Sequence, residues 1–120
     1  MNDKDIPLAN SKVLYRTLLR EEGYGVAQTT VLVGGETLWH RHTNVNDRFT
    51  VIRGVLTVET KIGDMVEKIE VHDYYSIDPG VTHHVKNETD DIVVYITVQS
   101  GGIQDIVLTP TEGLPQIDTP

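Results

Sequence analysis

Through most of this chain apolar residues fall at every second position. Short runs rich in Val, Ile, Thr and Tyr alternate with polar residues and are separated at close intervals by Gly, Asp, Asn and Pro. A period of two places one face of each run against a core, so the pattern predicts strands rather than helices. Strands are expected over Val13 to Leu19, Val26 to Val33, Thr37 to His42, Arg48 to Arg53, Val55 to Lys61, Met65 to Val71, Tyr74 to Ile77, Thr82 to Lys86, Ile92 to Gln99 and Ile103 to Leu108. Between Lys61 and Met65, Gly63-Asp64 reads as a hairpin turn, because these residues tolerate the positive φ such turns need.

Helical spacing arises only over Leu14 to Glu22, where Leu14, Leu18 and Leu19 would share a helix face. Gly23 and the β-rich surroundings favour a strand there. No repeat of fixed period is present. Pro110, Gly113, Pro115 and Pro120 break regular pairing, which predicts a loose tail or arm over residues 109–120 behind one β domain over residues 1–108. Ten close-spaced strands without helices predict an all-β sandwich or barrel.

With 120 residues, 38% hydrophobic and 23% charged, the chain has the make-up of one globular domain. The formal charge of −8 disfavours nucleic acid and anionic membrane surfaces as partners. Cysteine is absent, so disulfides, thiolate metal sites and a cysteine nucleophile are excluded. No stretch approaches the ~20 apolar residues of a membrane-spanning helix. The charged opening Met1-Asn2-Asp3-Lys4-Asp5 does not read as a signal peptide, and a cytoplasmic location is expected.

The five histidines fall in two groups: His40 with His42, and His72, His83 and His84. Positions i and i+2 of a strand share a face, so His40 and His42 present two imidazoles side by side. If that face is the interior, a divalent cation would offset the cost of burying them. The segment Asp78-Pro79-Gly80-Val81-Thr82-His83-His84 offers a third ligand after a Pro-Gly turn. Only one histidine of the adjacent pair can point inward, and spacing alone leaves both open.

Two motifs here resemble those of the cupin superfamily. The first runs Gly34, five residues, His40-Arg41-His42, four residues, Asp47, six residues, Gly54, with Asp47 where Glu is usual. The second runs Gly80, two residues, His83, three residues, Asn87; Asp78 stands in place of its proline and His72 in place of its first glycine. The resemblance covers about residues 26 to 100. It implies a double-stranded β-helix, or jelly-roll, barrel. It also implies that His40, His42, Asp47 and His83 stand at the metal-ligand positions, while Gly54, Pro79, Gly80 and Asn87 shape turns. Since Asp is one methylene shorter than Glu, Asp47 has two readings: a ligand, or a carboxylate beside three histidines that could act as general base.

The remaining expectations are local. His84 points outward as an ordinary surface or dimer-interface residue, and His72 is a solvated turn residue. Phe49 and Val51 line the interior near Asp47, Trp39 faces away from His40, and Tyr75 and Tyr95 serve packing. The resemblance implies one divalent metal, Fe(II) first and Mn, Ni, Co, Cu or Zn as alternatives. It further implies a small-molecule substrate or ligand in the barrel and pairing into a homodimer through the N-terminal strands. The function expected is a metal-dependent, dioxygenase-like enzyme. The alternatives are a non-redox isomerase or lyase, or a non-catalytic binding or sensing cupin.

Overall fold

In the strand Tyr24–Val31, Gly25, Ala27, Thr29 and Val31 are buried while the residues between them are not. This is the period of two predicted from the sequence, and it recurs in Val93–Ser100. In the computed structural model, which describes residues 12–109, ten strands follow one another without a helix among the described residues. They are β1 (Val13–Glu21), β2 (Tyr24–Val31), β3 (His40–Arg41), β4 (Asn46–Arg53), β5 (Leu56–Ile62), β6 (Met65–Val71), β7 (Tyr74–Ile77), β8 (Thr82–Lys86), β9 (Val93–Ser100) and β10 (Val107–Leu108).

The strands form two five-stranded sheets, β1-β2-β9-β4-β7 and β10-β3-β8-β5-β6, antiparallel throughout. Their inner faces enclose a core of Val31, Phe49, Leu56, Val58, Val71, Ile77, Val85, Val93 and Tyr95. Burying one such side chain stabilises the fold by about 1.5–3 kcal/mol. The stretch over Leu14 to Glu22 is strand, as expected. β1 is exposed along nearly its whole length, an overhang at the edge of its sheet.

Turns occupy the expected sites. Gly63 takes a φ of 61° between β5 and β6, but Asp64 does not share the positive φ the sequence suggested; the hairpin needs it only at its first central residue. Gly54 combines a φ of 83° with a crowded setting, since a Cβ there would stand 2.8 Å from the carbonyl oxygen of Ile92. Any side chain at Gly54 would be both strained and obstructed.

Two strands are shorter than predicted, for a definable reason. The expected strand Thr37 to His42 pairs regularly only at His40–Arg41. Side chains take the carbonyls that a ladder would use, with His84 Nδ1 on Thr37 O at 3.1 Å and His40 Nδ1 on Leu38 O at 2.8 Å. The expected strand Ile103 to Leu108 shrinks to Val107–Leu108, because Asp105 turns its carbonyl to His42 and its carboxylate to Thr43. Of the predicted tail over residues 109–120 only Thr109 is described, its N–H donating to Trp39 O at 3.0 Å; residues 110–120 and the first eleven lie outside the described residues.

A candidate metal centre in the barrel

β3 and the residue after it carry His40 and His42, β4 carries Asp47 and β8 carries His83. The sheets bring these together: His40 pairs directly with His83 in one sheet, and Asp47 reaches across from the other. All four are buried, His83 to 1% exposure and Asp47 to 3%. Their candidate ligand atoms lie within 4.8 Å of one another. The turn Asp78-Pro79-Gly80-Val81 is tied to this group, because Gly80 N–H donates to His42 O at 2.7 Å. Its glycine, with a φ of 84°, lets the chain reverse into β8.

Hydrogen bonds set the orientation of each ring. Nδ1 of His40, His42 and His83 faces the carbonyl oxygens of Leu38 (2.8 Å), Asp105 (2.6 Å) and Val81 (2.9 Å) respectively. A carbonyl only accepts, so each Nδ1 carries the proton and Nε2 is the atom presented to the interior. Nε2 of His42 and Nε2 of His83 each lie 3.1 Å from the same oxygen, Oδ2 of Asp47. A nitrogen lone pair and a carboxylate oxygen at that distance repel unless a proton or a metal cation lies between them. Two donors about 2.1 Å from one ion and at right angles would themselves be ~3 Å apart. The shorter Asp side chain therefore does reach the histidines.

The electrostatics are those of a carboxylate set among imidazoles. Burial opposes ionisation of Asp47, but its bonds to His42 and His83 outweigh that and hold its carboxyl well below the usual range. Burial likewise works against protonating His42, yet the bond to Asp47, the charge of Asp47 and the Asp105 carbonyl raise it above its ordinary value. His40 has no such partner; burial, with His83 close by, lowers it to about 3. At neutral pH the His40 ring is neutral, the form that ligates a metal.

Comparison with known proteins fits this geometry. The family model of the Cupin domain matches residues 27–99. The chain belongs to the cupin family. Among solved structures, this cupin is similar to an uncharacterised Klebsiella pneumoniae protein with a double-stranded β-helix domain (TM-score 0.72, 20% identity, 92% of this chain and 97% of that one covered). It is also similar to an oxalate oxidase (TM-score 0.72, 17% identity, covering 98% and 69%) and to the Lactobacillus farciminis oxalate decarboxylase in a formate complex (TM-score 0.71, 12% identity, covering 88% and 34%). No curated protein matches the sequence. At these identities the likeness is one of fold.

Sequence reasoning missed one side chain of the cupin's site. Gln99, at the inward end of β9, donates from Nε2 to Asp47 Oδ1 at 2.8 Å and lies 3.4 Å from His42 Nε2. The signal was available: Val93, Tyr95, Thr97 and Gln99 alternate inward, and a polar residue ends that run. The backbone carbonyls that orient the rings had no sequence signal at all.

His84 requires a correction. It lies on the face opposite His83, as alternation demands, but only 5% of it is exposed. Its ring stacks on Trp39 at a centroid distance of 4.1 Å, and its Nε2 bonds Glu59 Oε1 at 2.6 Å. Glu59 is its cross-strand partner, so sheet register, invisible in the sequence, buries it. His72 is exposed, Phe49 is buried with its ring 6.5 Å from that of His83, and Tyr95 is buried in the core with its hydroxyl pushed well up by burial. Asn87 satisfies its turn through bonds to Val31, Thr89 and Asp91.

Proposed function

We propose that this cupin is a metal-dependent enzyme acting on a small polar molecule inside the barrel, with Fe(II) the first candidate metal and dioxygenase chemistry the first candidate reaction. The observation that carries the reading is the convergence of two Nε2 atoms on one oxygen of Asp47, beside a neutral third imidazole. His40, His42, His83 and Asp47 would hold the ion, and four protein donors leave positions free on a six-coordinate metal. When bound, such a metal supplies Lewis acidity and, for iron, exchange of electrons with O2. The chain's own residues hold the rings by their Nδ1–H bonds and keep Asp47 ionised. Gln99 occupies the second oxygen of Asp47, which supports a ligand role over that of a free general base.

The test is oxygen consumption by Fe(II)-loaded protein with small acids. Oxalate and glycolate come first, because similar structures include oxalate oxidase in complex with glycolate. Consumption of O2 with loss of the acid supports the proposal. Tight binding with no consumption would replace it with a non-catalytic binding module, and conversion without O2 would make it an isomerase or lyase.

The proposal includes a homodimer. The outer face of the β1-β2-β9-β4-β7 sheet carries Leu14 (54% exposed), Leu19 and Tyr74 at its margins and half-buried Val26, Val94, Ile96 and Val98 between them. An apolar sheet face of this extent suits an isologous contact with a second copy. Light scattering after size exclusion would show twice the chain mass; a monomer at micromolar concentration would refute the dimer.

A further inference from the structure

The overhanging strand β1 covers a shallow recess, open to solvent, whose lining includes Arg20, Gly25, Ala27, Thr97, Gln99 and Gln104. None of the four candidate metal ligands lines it, yet it abuts them through Gln99, whose amide bonds Asp47. Sheet register explains the juxtaposition. Arg20 pairs with Gly25, Gly25 with Gln99 and Gln99 with Asp47, so one row of residues runs from an arginine to the candidate metal centre.

Two features of this row point to a ligand. Its floor is small, since Gly25 and Ala27 are buried without filling the recess. A Cβ on Gly25 would meet Gln104 Oε1 at 2.9 Å, so the glycine makes room for a polar wall. Arg20 has no ion pair among the described residues, although the chain carries a formal charge of −8. A guanidinium presents its N–H groups as a fork that fits a carboxylate with two parallel bonds.

We propose that this recess is a carboxylate subsite, in which Arg20 takes the distal carboxylate of a small acid whose other end turns past Gln99 toward His40, His42, Asp47 and His83. The inference rests on the metal-site reading above and names its substrate class. Three strand spacings separate Arg20 from Asp47, roughly 14 Å between Cα atoms, of which the arginine side chain spans about half. The remainder suits a chain of about five carbons with an acid at each end.

The experiment uses the full chain loaded with Co(II), whose visible absorption reports a ligand arriving at the metal separately from any contact with Arg20. Glutarate and its monoamide glutaramate are titrated into wild type, Arg20→Gln and Arg16→Gln by calorimetry and absorption. Arg16 pairs with Gln28 on the outer face of the sheet, so its variant removes the same charge away from the recess. The expected result is a preference of at least about tenfold for glutarate in wild type and Arg16→Gln, lost in Arg20→Gln while the absorption change at saturation persists. Equal binding of the two probes to wild type, or a preference that survives Arg20→Gln, overturns the subsite and leaves the metal reading standing if the absorption still responds. Co(II)-loaded protein whose absorption neither probe perturbs would overturn the subsite, and protein that takes up no Co(II) would overturn the metal reading on which it rests.

Discussion

Oδ2 of Asp47 lies 3.1 Å from Nε2 of His83, although 36 residues separate them in sequence and they belong to opposite sheets. The same oxygen is 3.1 Å from Nε2 of His42, so one carboxylate oxygen ties the two motifs of the chain together. Replacing that carboxylate should disable the site without emptying the core. Asp47→Asn is expected to weaken metal binding at least ~100-fold, read by competition with a chromophoric chelator. Unchanged affinity would make Asp47 a bystander and the site one of three histidines.

The missed residue gives a subtler test. Gln99→Leu removes the donor to Asp47 Oδ1 and the 3.4 Å contact with His42 Nε2, while all three rings keep their Nδ1 bonds. Metal affinity should drop roughly 10- to 100-fold, the usual effect of losing a partner that orients a ligand. An affinity equal to wild type would show that Asp47 is held in place by the histidines alone.

The pH dependence of the metal-free protein follows from His40. Burial lowers its folded value to about 3, below the 6.5 of an unfolded histidine. Below pH 6.5 the unfolded chain therefore binds a proton that the folded chain refuses, and stability falls as pH drops toward 3. By pH 4 this amounts to roughly 3 kcal/mol. His42 acts in the opposite sense: its raised value adds stability present below pH 6.5 and lost as pH rises through the folded value. Urea melts of wild type and His40→Asn between pH 4 and 8 isolate the His40 share: the variant's stability should fall less steeply below pH 6.5, the remaining acid slope belonging to the depressed carboxylates of Asp47, Glu59, Glu88 and Asp105. Parallel slopes would contradict the burial argument.

His84 is predicted to be structural. His84→Ala would leave Trp39 without its stacked ring and Glu59 without its 2.6 Å bond, lowering stability by about 1–3 kcal/mol. Metal content should not change. A variant with normal melting but lost metal would mean that His84 participates in the site after all.

How far the sequence could be read follows from these residues. Alternation placed the strands because most of them bury one face, β1 and β6 being largely exposed, and the motif spacing marked His40, His42, Asp47 and His83, which the barrel does bring together. What escaped lay in three dimensions. The burial of His84 depends on register with Glu59, and the shortening of β3 and β10 depends on histidine rings that take backbone carbonyls across long sequence separations. Gln99 was legible by alternation alone, but its partner Asp47 could be named only once β4 and β9 were paired.

The central claim, that these four residues hold one divalent ion, is tested most directly by the metal content of untagged protein, measured by mass spectrometry beside a His83→Ala variant of unchanged fold. The account predicts about one equivalent of a first-row metal, iron first, in wild type and its loss in the variant. Wild-type protein that stays empty after anaerobic reconstitution with Fe(II), Mn(II), Co(II), Ni(II), Cu(II) and Zn(II) would contradict it.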